Sequence, residues 1–210
     1  MTLARDRTAL LVVDMQNGFL DDAGSMAKIG LPVAELRSRS LDRTCDLVRA
    51  ARQVGIPVIF TRYVYMPGYA DGGLVPNVLL PAMKEVEALA HASWDAEIVP
   101  ELAPAPADMI IDKSRPSAFY GTQLEPVLTS LDVRNLVITG VTTNVCVEST
   151  ARDAGQRDYH VHVVSDATAE WEEVRHQHAL DVLGFMFGWV NTTEEVLVGW
   201  HVTSGPGAPA

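Results

Sequence analysis

Thr8-Ala9-Leu10-Leu11-Val12-Val13-Asp14 is the stretch that decides the fold. A continuous apolar run of this length, without polar alternation, is the pattern of a strand buried on both faces. Such strands belong to parallel sheets covered by helices. Outward from it, the same unit repeats. Residues 32–54 place Leu36, Leu41, Leu47, Val48 and Ala51 at helical spacing, and Gly55 follows as a normal helix end. Short apolar strands come next at Pro57–Phe60, Met109–Ile111, Leu136–Thr139, Val161–Val164 and Phe187–Val190. Helical patterns separate the later ones, at Thr122–Ser130, Asn144–Arg157 and Glu170–Leu183, and Thr192–Val198 closes the series. Strand, helix, strand in alternation predicts right-handed crossovers. The expected fold is α/β, a three-layer α/β/α Rossmann-like sandwich around a six-stranded, mostly parallel sheet.

The 210 residues amount to about one and a half typical domain lengths. A single domain over residues 1–203 is expected, with residues 204–210 (SGPGAPA) a flexible tail. Apolar residues at 48% and charged residues at 20% are ordinary globular proportions and argue against wholesale disorder. The net charge of −11 argues against a nucleic-acid backbone or an anionic bilayer as main partner. The longest apolar run, Ala9–Val13, falls far short of the ~20 residues of a membrane span. Residues 1–7 are too charged for the apolar core of a signal segment. The 2 cysteines, Cys45 and Cys146, form no disulfide framework and no metal knuckle. A cytoplasmic protein is expected.

In open parallel sheets, ligands sit beyond the carboxyl ends of the strands. Three polar residues stand there. Asp14 follows ALLVV, Lys113 follows MIID, and Cys146 follows the turn Gly140–Asn144. Thr143 or Asn144 is expected to cap the helix that carries Cys146. In a first helical turn the free N–H groups and the macrodipole favour a thiolate, and can form an oxyanion hole. Asp14, desolvated behind an apolar strand, suits a proton acceptor for that thiol. Lys113 would ease the two anions together. Taken singly, each has a plain structural alternative: a small buried cysteine, a turn aspartate, a surface lysine. Their convergence at one sheet edge favours chemistry. Cys45, mid-helix between Leu41 and Val48, is expected to be inert core.

These residues carry a resemblance. Over residues 8–200 the chain resembles the isochorismatase-like cysteine hydrolase superfamily, in ALLVVDMQNGFL, DKSRPSAFYGTQLE and LVITGVTTNVCVESTARDAGQRDY. The resemblance implies an Asp14–Lys113–Cys146 triad. It also implies a cis peptide between Val141 and Thr142, with backbone N–H groups of Thr142 and Cys146 at the substrate oxygen. Within the superfamily, SWDAEIVPEL, TNVCVEST and MFGWV look like the ureidoacrylate amidohydrolase branch, with the N-carbamoylsarcosine and biuret amidohydrolases as near neighbours. Isochorismatases are similar in fold but many lack the cysteine, so Cys146 argues for C–N cleavage. The function expected is hydrolysis of a small ureido or carbamoyl compound through a Cys146 thioester. Nicotinamidases of the superfamily carry an Asp-x-His metal site after the second strand; TRYVYM (61–66) has no such pair, so no metal and no cofactor are expected. Homo-oligomers, dimer or tetramer, are implied by the resemblance alone. The alternatives are another amide hydrolysis, isochorismatase-type chemistry, a non-catalytic small-molecule binder, or a redox sensor that needs Cys45.

Residues 62–107, with Tyr63, Tyr65, Met66 and Tyr69, break the strand–helix rhythm and are expected to form a lid or substrate-contacting loop. Candidate substrate contacts are Arg62, Tyr65, Arg115, Tyr120 and Gln16, with Arg62 and Arg115 suited to a carboxylate. Other features are expected to be bland. His160 with His162, and His176 with His178, are expected as surface pairs, and Trp171, Trp189 and Trp200 as packing residues. Gly68, Gly72 and Gly73 form no phosphate loop, because no Lys-Ser/Thr follows.

Overall fold

Burial of Thr8–Val13 along its whole length follows from where the strand lies. In the computed structural model, which describes residues 5–201, β1 (Thr8–Val13) sits at the middle of the sheet. It pairs in parallel with β2 (Val58–Tyr63) on one side and with β4 (Asn135–Val141) on the other. β3 (Met109–Lys113) continues outward from β2, while β5 (His160–Ala169) and β6 (Trp189–Asn191) continue from β4. The order is β3-β2-β1-β4-β5-β6, and all 5 neighbouring pairs are parallel, where a mostly parallel sheet was expected. The expected tail, residues 204–210, lies outside the described residues.

Among the described residues, α-helical segments lie between and after the strands: α1 (Asn17–Leu20), α2 (Ser25–Lys28), α3 (Val33–Val54), α4 (Ala82–Glu85), α5 (Leu124–Ser130), α6 (Glu148–Gly155), α7 (Glu173–Met186) and α8 (Thr193–Gly199). Strand order runs one way from β1 to β3 and the other way from β4 to β6. Right-handed connections therefore put α3 on one face and α6 and α7 on the other. The reversal falls between β1 and β4, the position where such folds hold ligands. α3 ends at Gly55 in the left-handed conformation, as its sequence predicts. Its buried stripe is Leu36, Leu41, Leu47, Val48 and Ala51, and Thr44 reaches the Thr139 hydroxyl on β4 at 2.7 Å.

Two departures shape the site. β5 runs to Ala169, not Val164, because a register shift lets it resume pairing. Ile138 lies opposite Val163, but Gly140 lies opposite Thr168. The looped-out residues carry Asp166, whose carboxylate takes the N–H and hydroxyl of Thr193 at the start of α8. The shift brings the end of β5 level with the end of β4. The second departure is in residues 62–107, which are tied down more than an irregular excursion would be. Isolated bridges join Gln16 to Ile98 and Tyr65 to Ala90. The buried Asp95 carboxylate accepts from Ser25 N (2.8 Å), Ser25 Oγ (2.6 Å) and Leu89 N (2.7 Å).

Gly140 is the tightest point of the sheet. It adopts φ +115°, and a Cβ there would lie 2.0 Å from the carbonyl oxygen of Val13. Only glycine lets β4 approach β1 this closely, one residue before Asp14. Gly140→Ala is expected to destabilise the fold by about 2–4 kcal/mol, read as a lower urea midpoint, and to reduce activity with it.

Candidate active site

Asp14, Lys113 and Cys146 come from strand ends on three different strands and meet. Asp14 leaves β1 with φ +52°, a left-handed turn that an aspartate tolerates better than a branched residue. Its backbone N–H reaches the carbonyl of Thr61 at 3.2 Å, and its Oδ1 accepts from the Thr61 hydroxyl at 2.7 Å. Lys113 ends β3, two strands away, roughly 10 Å in sheet spacing. Its side chain crosses over β2 to bridge that gap. The ammonium passes 4.3 Å from the centroid of the Tyr63 ring and ends 2.6 Å from Asp14 Oδ2. Its other contacts are the carbonyl of Arg115 at 3.1 Å and the Sγ of Cys146 at 3.5 Å. An ammonium has three donors, and these three acceptors use them. All three residues are buried, with Asp14 0%, Lys113 3% and Cys146 4% exposed.

Burial sets the state of the thiol. It pushes the Cys146 thiol well up; the Lys113 ammonium pulls down and the Asp14 carboxylate pushes up again. Burial thus works against the thiolate that the helix start was expected to favour. Asp14 Oδ2 receives the Lys113 ammonium, and the carboxylate also lies within reach of the Cys146 thiol. A buried carboxylate oxygen with an open lone pair stands ready for a proton.

Val141–Thr142 is a cis peptide, and Thr143–Val147 form a wide π-helical turn leading into α6. The Thr142 carbonyl accepts from the N–H groups of Val145 and Val147, both at 3.2 Å. Neither Thr143 nor Asn144 caps this turn with its side chain, contrary to expectation. The Thr143 hydroxyl pairs instead with Nδ1 of His176 on α7 at 2.8 Å. The Asn144 N–H goes to the carboxylate of Glu170 at 3.3 Å. Glu170 is 1% exposed and also accepts from Trp171 N at 2.9 Å. Burial raises its carboxyl, while those N–H donors and the Thr142 hydroxyl pull the other way. His176 is half-buried, which lowers its imidazole, while His178 is exposed as expected. His162 is no surface residue, since it stacks on Trp189 with centroids 5.0 Å apart and bonds Asn191. Thr61, Glu170 and His176 are thus site neighbours that the sequence did not place here, and Tyr63, expected in the lid stretch, ends β2 instead. Thr61 and Tyr63 were within reach, because a pleat puts alternate residues of β2 on one face.

The candidate substrate contacts divide. Gln16 is fully engaged: its Nε2 donates to Tyr63 O (3.0 Å) and Ala96 O (2.9 Å), and its Oε1 accepts from Tyr63 N (2.7 Å). It clamps residues 94–96 to β2 and is not free for a ligand. Arg62 alternates away from Thr61 and Tyr63 and makes two bonds to Asp112, at 2.7 and 2.9 Å. Arg115 and Tyr120 do line a cavity, of about 330 Å³, together with Lys113, His91, Met66 and Asp71. Arg115 Nη1 donates to the carbonyls of Asp71 (2.7 Å) and Ser114 (2.6 Å), and among the described residues no carboxylate pairs with it. Tyr65 is wholly buried, its ring packed between those of Tyr63 and Tyr69. Two larger clefts, of about 550 and 570 Å³, flank α3 and include none of the triad. Cys45 is half-buried, not core, and its Sγ lies 3.8 Å from the Glu101 carbonyl. Among the described residues no group of three or more His, Cys, Asp or Glu side chains is placed to hold a metal ion. No helix among them is long and apolar enough to cross a membrane.

The fold is a parallel α/β sandwich with a buried cysteine, lysine and aspartate at its switch point. Residues 8–195 match the isochorismatase domain, and the chain belongs to that family as a hydrolase. Among curated relatives it is 37% identical over 202 residues to the ureidoacrylate amidohydrolase RutB of Pseudomonas syringae pv. syringae, covering 90% of this chain and 81% of that one. Among solved structures it resembles a cysteine hydrolase from Pseudomonas syringae pv. phaseolicola, with TM-score 0.86 and 30% identity, covering 96% of this chain and 95% of that one. It also resembles an N-carbamoylsarcosine amidase from Thermoplasma acidophilum, with TM-score 0.71 and 25% identity, covering 89% and 96%.

Removing one partner of the buried pair leaves an uncompensated charge. Lys113→Met is expected to destabilise the fold by about 3–5 kcal/mol, and Asp14→Asn added to it to restore most of that loss, both read by urea unfolding. Because the Cys146 thiol is raised, its alkylation by iodoacetamide is expected to accelerate steadily with pH and to show no plateau below about pH 9. Peptide mass spectrometry measures the rate.

Proposed function

We propose that the protein is an amidohydrolase that cleaves a C–N bond of a small ureido or carbamoyl compound, of the ureidoacrylate kind. The observation that carries this is one ammonium, on Lys113, held between the Asp14 carboxylate and the Cys146 sulfur. That arrangement supplies a base, a nucleophile and a fixed cation in a water-poor site. Asp14 Oδ2 takes the thiol proton as Sγ attacks the carbonyl carbon. The oxyanion rests on the backbone N–H groups of Thr142 and Cys146. As the tetrahedral intermediate collapses, Asp14 hands its proton to the leaving nitrogen. The amine departs and a carbamoyl thioester stays on Cys146. Water, losing a proton to Asp14, then breaks the C–S bond. The Cys146 thiol is restored and carbamate leaves, decaying to ammonia and carbon dioxide. Lys113 stays charged throughout and holds the carboxylate and sulfur together.

The curated relatives named ureidoacrylate amidohydrolase support the substrate class. Arg115, a cation without an acidic partner on the cavity wall, supports a substrate that carries a carboxylate. Homo-oligomers, dimer or tetramer, and a cytoplasmic location belong to the same proposal. The test is a panel of ureidoacrylate, biuret, N-carbamoylsarcosine and nicotinamide, followed by ammonia release, and isochorismate followed by pyruvate. Turnover of a ureido compound on the order of 10 per second is expected. Cys146→Ala is expected to abolish it with the melting curve unchanged, and EDTA to leave it untouched. Comparable ammonia release by Cys146→Ala overturns the mechanism.

A further inference from the structure

The ends of β1 and β5 flank the end of β4 from its two sides, and each is followed by a buried acid. Val13 lies opposite Gly140, so Asp14 stands beside Val141. Ala169 lies opposite Val141, so Glu170 stands beside Thr142. Asp14 is neutralised by Lys113 and belongs to the proposed chemistry. Glu170 is buried too, and that chemistry makes no use of it. Among the described residues no cation forms an ion pair with it, and Arg175 pairs with Glu172 at 2.8 Å. Burying a carboxylate without a cation is costly, so its hydrogen bonds must hold it.

Those bonds run to the turn that carries Cys146. Oε2 of Glu170 accepts the Asn144 N–H at 3.3 Å, and Oε1 accepts the Trp171 N–H at 2.9 Å. The Thr142 hydroxyl gives the carboxylate a further bond. The end of β5 is thereby tied to the residue after the cis peptide and to the residue two before the sulfur. His176 on α7 takes the residue between them, through its pairing with the Thr143 hydroxyl at 2.8 Å. Thr142, Thr143 and Asn144 are all held from outside the turn. A glutamine cannot reproduce this grip. Both oxygens accept backbone N–H groups, so an amide would set its NH2 against one of the two donors.

We propose that Glu170 is a positioning residue for amide hydrolysis, its carboxylate fixing the Thr142–Asn144 backbone so that the N–H groups of Thr142 and Cys146 meet the oxyanion. This rests on the C–N-cleaving function proposed above. Glu170 then serves the oxyanion, while Asp14 and Lys113 govern the sulfur. The two tasks are separable by experiment. Iodoacetamide consumes the same thiol, but there the sulfur displaces iodide from a saturated carbon and no oxyanion forms. A residue that acts on the oxyanion alone leaves that reaction intact.

The experiment compares Glu170→Gln and Glu170→Ala with the wild type, on whichever ureido compound the wild type hydrolyses. In both variants kcat is expected to fall roughly ten- to a hundredfold with KM within about threefold, because misaimed oxyanion donors are felt in the transition state. Alkylation of Cys146, followed by peptide mass spectrometry, is expected to stay within about threefold of the wild-type rate. An unchanged kcat in Glu170→Gln overturns the inference. So does a loss that falls on KM instead. So does alkylation that changes tenfold or so in both variants, slower or faster, since Glu170 would then hold the thiol or the fold as a whole. Wild-type enzyme that leaves every ureido compound intact overturns the proposed function and this inference with it, whereas an active wild type matched by Glu170→Gln overturns the inference alone.

Discussion

A lysine and an aspartate buried together, two strands apart, constrain most of what surrounds them. Their attraction must offset the loss of hydration of both charges, and that works only with close geometry and full satisfaction of the remaining donors. The structure meets both conditions. The ammonium contacts three acceptors, and Asp14 Oδ1 takes the Thr61 hydroxyl. Each condition recruits a neighbour. Thr61 must be a hydroxyl, and Tyr63 offers its ring to the ammonium that crosses β2. Gly140 must lack a side chain so that β4 can carry the Thr142–Cys146 turn against Asp14. A sulfur is the softest of the three acceptors, and placing it there adds a reactive group to a pair that already has to be held rigid.

The frame of this arrangement was legible in the sequence. Thr8–Val13 is uniformly apolar because it is the central strand, covered on both faces, and such a strand carries no competing helical or half-exposed pattern. Asp14 and Lys113 were legible for the same reason, since a charged residue at the mouth of an apolar run needs a partner. Cys146 stood out through the turn Gly140–Asn144, and the resemblance added the cis bond at Thr142. The rule behind these successes is local: strand first, then polar residue.

Where locality fails, so did the sequence. Val161–Val164 reads as a complete strand, and nothing in its pattern signals that Thr168 rejoins β4 after a register shift. Glu170 was therefore placed at the start of a helix, although it is the strand-end carboxylate that the same rule would have flagged. His176 shows the same limit. Its partner, Thr143, is 33 residues away, and the contact exists only because α7 packs on the turn holding Cys146. Gln16 and Arg62 erred in the opposite direction. Both lie near the right strand ends, but Gln16 satisfies the backbone of Tyr63 and Arg62 faces the other side of the pleat. Spacing brings residues to an edge; it does not say which of them have hydrogen-bonding capacity left.

That spare capacity separates chemistry from selection in this protein. The groups proposed for bond cleavage come from the ends of β1, β3 and β4, strands locked by a central parallel sheet, and their donors and acceptors are nearly all used by one another. The groups left open lie elsewhere. Arg115 and Tyr120 follow β3 and line the cavity, and the stretch that leaves β2 carries short helical turns with Leu74, Val78 and Leu79 exposed. A scaffold divided in this way keeps one set of bond-breaking geometry while the polar groups around the cavity determine which amide reaches it.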